Sequence, residues 1–210
     1  MTSPRAERQN RFDPGTDGHS PEGRNTIMPN LNVKPRTLKL AKMALMVAIS
    51  TIGTFFHFPI LPMAPFLEFE ASLIPILIAG LVFGPIQGMA IGVVAILLRA
   101  LVLSPPSGPY GLIMNLIATC VFVLIASAIY HKFKTRTWGL LSLIIGGLCM
   151  AAVMIPANLL ITPHFMGVPI DVVQAMILPI LLPFNLIKMA INTVVVFLLY
   201  KRLSPFLHKW

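Results

Sequence analysis

The sequence predicts an all-α integral membrane protein: a six-transmembrane-helix bundle with both termini cytoplasmic. Composition, the spacing of the apolar segments and the placement of the basic residues predict it. Of 210 residues, 56% are hydrophobic and only 11% are charged, with a mean hydropathy of +0.83. A chain of that size cannot hide so much apolar surface inside a water-soluble globule. The net charge of +9 would suggest nucleic acid in a soluble protein. Here its distribution along the chain matters more than its sum, and no nucleic-acid partner is expected.

Residues 1–36 are rich in Arg, Asp, Gly, Pro, Ser and Asn and contain no apolar run that could serve as a signal-peptide core. They read as a disordered cytoplasmic tail. The membrane domain occupies 37–206, and 207–210 form a short C-terminal tail. Within the domain, Pro, Gly and charge set off six apolar segments, at roughly 38–57, 71–84, 86–103, 110–130, 138–160 and 180–200. The second is short for a bilayer that needs about 20 residues. It is a tilted or incomplete span, or half of a helix pair turning at Gly84-Pro85. No internal repeat of the kind that marks many secondary carriers is visible.

Six spans place every loop cation on one side. Arg5, Arg8, Arg11, Arg24, Lys34, Arg36, Lys39 and Lys42 precede the first span or lie in its opening turns; Lys132, Lys134 and Arg136 follow the fourth; Lys201, Arg202 and Lys209 follow the sixth. The opposite loops hold Glu68, Glu70 and Asp171 and no Lys or Arg. Cytoplasmic loops carry the excess of Lys and Arg, which puts both termini inside the cell.

In the first span, Ala44-Leu-Met-Val-Ala48 is a small-xxx-small pattern that lets another helix approach closely, within the chain or from a partner. The following outer segment, Phe58-Pro-Ile-Leu-Pro-Met-Ala-Pro-Phe-Leu-Glu-Phe-Glu70, is Pro-rich, aromatic and apolar. A solvated loop is not built this way. It is either a lid over an apolar ring system, with prolines limiting the entropy lost on closure, or a segment resting among headgroups. Cys120 and Cys149 lie within apolar stretches and read as packing residues.

The polar residues inside the spans carry the functional signal. Lys188 lies in the last span with Asn185, and a lysine near the bilayer centre costs about 2.5–3.5 kcal/mol on insertion scales. Tyr200 and Lys201-Arg202 mark the inner interface, about 18 Å from Lys188 at helical rise, so Lys188 cannot reach that side. It snorkels to the nearer face or lines a cavity. The same alternatives hold for Arg99 at the outer end of the third span. An intramembrane Asn such as Asn115, Asn158 or Asn185 can simply bond a neighbouring helix, for about 0.6–2 kcal/mol. Four polar residues at similar depth point instead to a pocket in the outer half of the bundle.

No phosphate-binding Gly-x-x-x-x-Gly-Lys-Ser/Thr loop, His-Glu-x-x-His pair or Gly-x-Ser-x-Gly elbow occurs in the chain. An intramembrane enzyme is therefore disfavoured, no catalytic or metal-ligating residue is expected, and ATP-driven work must come from partners. A passive scaffold would have no use for Lys188 and its asparagines.

Several motifs together resemble the substrate-binding S components of energy-coupling factor (ECF) vitamin transporters, in their riboflavin-binding, RibU-type branch. The resemblance runs from about Leu38 to Phe206. It is carried by Phe58-Pro-Ile-Leu-Pro, Pro65-Phe-Leu-Glu-Phe-Glu, the Phe83-Gly84-Pro85…Gly88 turn, Asn115 after a Gly-Pro loop, Asn158 before Pro163, and above all Leu182-Pro-Phe-Asn185-Leu-Ile-Lys188. It implies a six-helix bundle with a vitamin pocket near the outer face, in a prokaryotic cell membrane. Asn158, Asn185 and Lys188 would bond the flavin, with Asn115, Glu70 and Arg99 around the same site and Leu61 and Phe66 packed on the rings. Riboflavin would be cargo, not a cofactor. Ala44 and Ala48 would dock a transmembrane T component, two ATPase subunits would complete the transporter, and release would involve toppling of the S component. The chain departs from riboflavin-type members in helix three, where a Lys-Asn pair is replaced by Val94-Ala95-Ile96-Leu97-Leu98-Arg99, and near Leu73-Ile74, where an acid is missing. Those departures leave a modified flavin or another aromatic vitamin open.

Overall fold

The computed structural model describes residues 35–103 and 108–207. The expected tail before residue 35 and residues 208–210 lie outside the described residues. Helix α1 (Pro35–Gly53) opens on a proline, whose fixed φ suits a first helical turn. Two short strands follow, β1 (His57–Pro59) and β2 (Glu68–Glu70). Then come α2 (Leu73–Phe83), α3 (Pro85–Val102), α4 (Gly108–Phe133) and α5 (Arg136–Met166). The last segment is one continuous helical run, α6 (Ile170–Met176), a π-helical turn (Ile177–Leu181) and α7 (Leu182–Leu207).

Among the described residues, four helical stretches are long and apolar enough to cross a membrane: Pro85–Val102, Gly108–Phe133, Arg136–Met166 and Ile170–Tyr200. Large apolar side chains on them face outward, Leu101 being 84% and Leu160 69% exposed. Such surfaces suit lipid rather than water. Helix α2 has only 11 residues. It turns back as α3 at Gly84, whose φ of 113° is open to glycine and strained for other residues. The pair packs closely, since a Cβ on Gly88 would overlap the Gly80 backbone.

Helix α4 lies along α5, α5 contacts α7, and α1 packs on α2 and α3. The core between them is built from Leu77, Ile91, Phe122, Leu143, Met150 and Val196. At the end remote from the hairpin, the hydroxyls of Tyr130 and Tyr200 hydrogen-bond across α4 and α7, with their rings edge-to-face at 5.6 Å.

Two expectations are corrected. The outer segment is not merely a loop: His57 pairs with Glu70, Phe58 with Phe69 and Pro59 with Glu68 in an antiparallel hairpin, so the fold is all-helical but for this ribbon. The stretch between the fifth and sixth predicted spans, with Asp171, is helical rather than loop, and α5 runs on through His164 to Met166. Pro179 gives the physical reason for the π turn. A proline lacks an N–H and clashes with the carbonyl four residues back, and a widened turn accommodates both defects without ending the helix.

Candidate substrate cavity beneath the hairpin

Alternation along β2 sends Glu68 and Glu70 to one face and Phe69 to the other. Phe69 is buried and meets the Phe58 ring at 5.4 Å. The two carboxylates converge on Arg99 of α3, whose Nη2 lies 2.7 Å from Glu70 Oε1 and 3.8 Å from Glu68 Oε2. Glu70 Oε2 accepts from Asn115 Nδ2 of α4 at 3.1 Å and from the Ser72 hydroxyl at 3.4 Å. Both side chains of the Arg99–Glu70 pair are nearly excluded from solvent, at 5% and 7%.

Below this network, α4, α5 and α7 each turn a stripe of side chains inward. Met114, Asn115 and Ala118 come from α4; Asn158, Ile161, Thr162 and Phe165 from α5; Phe184, Asn185 and Lys188 from α7. Spacings of three, four and seven residues put each set on one helix face. With Phe66, Glu68, Glu70 and Arg99 they line one cavity of mixed apolar and polar character beneath the hairpin. Aromatic rings bridge the mouth: Phe165 lies 5.9 Å from Phe66 of the hairpin and 6.2 Å from Tyr110 of α4.

The polar groups differ in how far they are already satisfied. Asn158 donates to the Met154 carbonyl at 2.6 Å and accepts from the Thr162 hydroxyl at 3.0 Å. Asn185 donates to the Leu181 carbonyl at 2.8 Å. Each bond uses one amide hydrogen and leaves the other available. Lys188 is 7% exposed, and its Nζ stands 5.9 Å from the Phe184 ring centroid. Among the described residues it has no carboxylate or hydrogen-bond partner. Deeper on α7, Asn192 donates to the Lys188 carbonyl at 2.7 Å while its buried Oδ1 is unpartnered.

Asn115, Asn158, Asn185, Lys188, Phe66, Glu70 and Arg99 thus surround one cavity. Leu61 does not border it. Two successive turns, Ala64 N–H to the Leu61 carbonyl and Leu67 N–H to the Ala64 carbonyl, both 3.0 Å, fold the hairpin tip so that Phe66 and Leu67 face the cavity instead. Ala44 and Ala48 are exposed on α1, away from the cavity. Sequence reading missed Tyr110, Thr162, Phe165 and Phe184. Thr162, one turn after Asn158 on the same face, was recoverable by spacing; the aromatics at helix ends were not. No group of three or more His, Cys, Asp or Glu that could hold a metal occurs among the described residues.

A sequence profile described as "ECF transporter, substrate-specific component" matches residues 38–200. The chain belongs to that family. This S component is 32% identical over 183 residues to the riboflavin transporter RibU of Staphylococcus aureus (strain TCH60), covering 81% of this chain and 93% of that one. It is 26% identical over 179 residues to the riboflavin transporter FmnP of Bacillus subtilis (strain 168), covering 81% and 94%. A solved structure of the S component of a bacterial ECF transporter superposes with a TM-score of 0.72 at 31% identity, covering 83% of this chain and 99% of that one. Family and relatives are transporter components, not enzymes.

Proposed function

We propose that this S component binds riboflavin, or a closely related flavin, in the cavity beneath the hairpin and delivers it inward with an ATP-driven ECF module. The observation that carries the reading is Lys188: a nearly buried cation without an anion or hydrogen-bond partner among the described residues, flanked by Asn185 and Asn158 in a cavity roofed with aromatic rings. The pyrimidine edge of an isoalloxazine presents carbonyl acceptors beside one N–H donor. Lys188 supplies donors, and the asparagines supply donor and acceptor together. Phe66, Phe165, Tyr110 and Phe184 supply the apolar and π surface that a flat tricycle needs. The names of the relatives supply the ligand class.

The bundle crosses a prokaryotic cell membrane six times with both termini cytoplasmic, α1 and the short α2 completing the spans. Arg36, Lys39 and Lys42 sit in the cytoplasmic headgroups, and the hairpin faces outward. The exposed alanine face of α1, with Ala44 and Ala48, docks the T component, and two ATPase subunits supply the energy that a chain without a nucleotide-binding loop cannot. Riboflavin is cargo, and no resident cofactor is involved.

The test is fluorescence titration of riboflavin into purified protein, with Lys188→Met as the comparison. Tight quenching by wild type, weakened at least about tenfold in the variant, supports the reading, since a charge-assisted hydrogen bond contributes about 1.5–3 kcal/mol. Wild type that leaves riboflavin fluorescence unchanged while binding another aromatic vitamin would transfer the same cavity to that ligand.

A further inference from the structure

We infer that Arg99 and Asn115 are positioning residues: they hold the hairpin closed over the cavity by gripping Glu70, rather than contacting the cargo. The inference rests on the proposed function only for its consequence, cargo retention. The hairpin carries two carboxylates, Glu68 and Glu70, and the bundle beneath carries two cations, Arg99 and Lys188. Arg99 is engaged through Nη2, which sits 2.7 Å from Glu70 and 3.8 Å from Glu68, while its buried Nε is unpartnered among the described residues; Asn115 donates to the remaining Glu70 oxygen at 3.1 Å. Glu70 is therefore bonded from α3 and α4 at once, and these bonds fasten β2 to two helices. Phe66 lies just before β2, so fixing Glu70 also places Phe66 against Phe165 at the mouth.

Lifting the hairpin would separate Glu70 from Arg99 and leave a guanidinium without its counter-charge among apolar helices. The separation is unfavourable in a low-dielectric setting, so closure is favoured electrostatically as well as by ring packing. Lys188 is the contrast. No hairpin carboxylate forms an ion pair or hydrogen bond with it among the described residues, which leaves its donors for the cargo, although the charge of Glu70 still acts on it. The division of labour follows from β2 alternation: one face carries both acids, and both converge on Arg99.

Hydrogen–deuterium exchange of the ligand-free full chain tests the latch without reference to any vitamin. In Glu70→Gln and Arg99→Gln, amides of 57–70 should exchange roughly tenfold faster than in wild type, with α4, α5 and α7 unchanged. Arg99→Lys, which keeps the charge, should restore part of the protection. Riboflavin release, followed by recovery of its fluorescence, should be about tenfold faster in both Gln variants. The effect of the double variant should be less than additive relative to the singles, because each single already removes the shared Arg99–Glu70 pair. Unchanged hairpin exchange in both variants would overturn the latch. So would additive losses of affinity with a shifted absorption band of bound flavin, since those are the marks of direct contacts. Wild type that does not bind riboflavin would sink the proposed cargo and leave the exchange result to decide the latch.

Discussion

Lys188 sets stability against function at a single side chain. A buried cation with neither an ion pair nor a hydrogen bond destabilises the folded state, and replacing it with an apolar residue of similar volume removes that penalty. Lys188→Met is therefore expected to raise the thermal midpoint of the ligand-free protein by a few degrees while weakening riboflavin binding; a midpoint that falls would mean the amine is already satisfied. Asn158 behaves differently because its amide is oriented by neighbours. Its oxygen accepts from Thr162, so Thr162→Val removes the orienting donor and leaves the asparagine in place. Affinity measured by titration should drop about three- to tenfold, with little change in unfolding temperature. Lys188 and the asparagines were legible from the sequence because polar residues stand out in apolar spans. Their common depth followed from counting residues along helices. The Arg99–Glu70–Asn115 contacts were not legible, because those residues lie on three elements and nothing in a linear pattern says that they point at one another.

At the scale of elements, the α2–α3 turn at Gly84-Pro85 was one of the alternatives the sequence offered, since glycine followed by proline at a first helical position is a local signal; the structure selects it, with Gly84 at a positive φ. What the turn achieves is tertiary. Gly88 and Gly80 bring two helix backbones together with no room for a side chain. Gly88→Leu should destabilise the bundle by about 1–3 kcal/mol or more, measured as a lowered unfolding temperature, because rigid backbone must move. The hairpin escaped the sequence reading for a reason equally physical. Three prolines between Phe58 and Phe66 mask a strand pattern, and each strand is only three residues long. The continuous run from α6 through the π turn into α7 also escaped it, because the sixth apolar segment begins at residue 180 and Pro179 just before it looks like a stop. A membrane interior penalises a broken helix more heavily than a widened turn.

For the whole molecule, the topology carries its own prediction. Reporter fusions at the C-terminus and in the corner between α4 and α5 should be active only as cytoplasmic reporters, and a fusion in the hairpin near Met63 only as an external one. A hairpin reporter active in the cytoplasm would invert the bundle and close the cavity to outside cargo. Composition determined, by itself, that this chain is a helical membrane protein, and the one-sided distribution of Lys and Arg carries the proposed orientation. Both follow from solvation, which each segment experiences largely independently of the others. The tertiary structure decided which polar groups satisfy one another and which are left for a ligand. Glu70 bonds both Arg99 and Asn115, with Arg99 Nε left unpartnered among the described residues, while Lys188 makes no ion pair or hydrogen bond there, because mutual satisfaction depends on distances of about 3 Å between residues far apart in the chain.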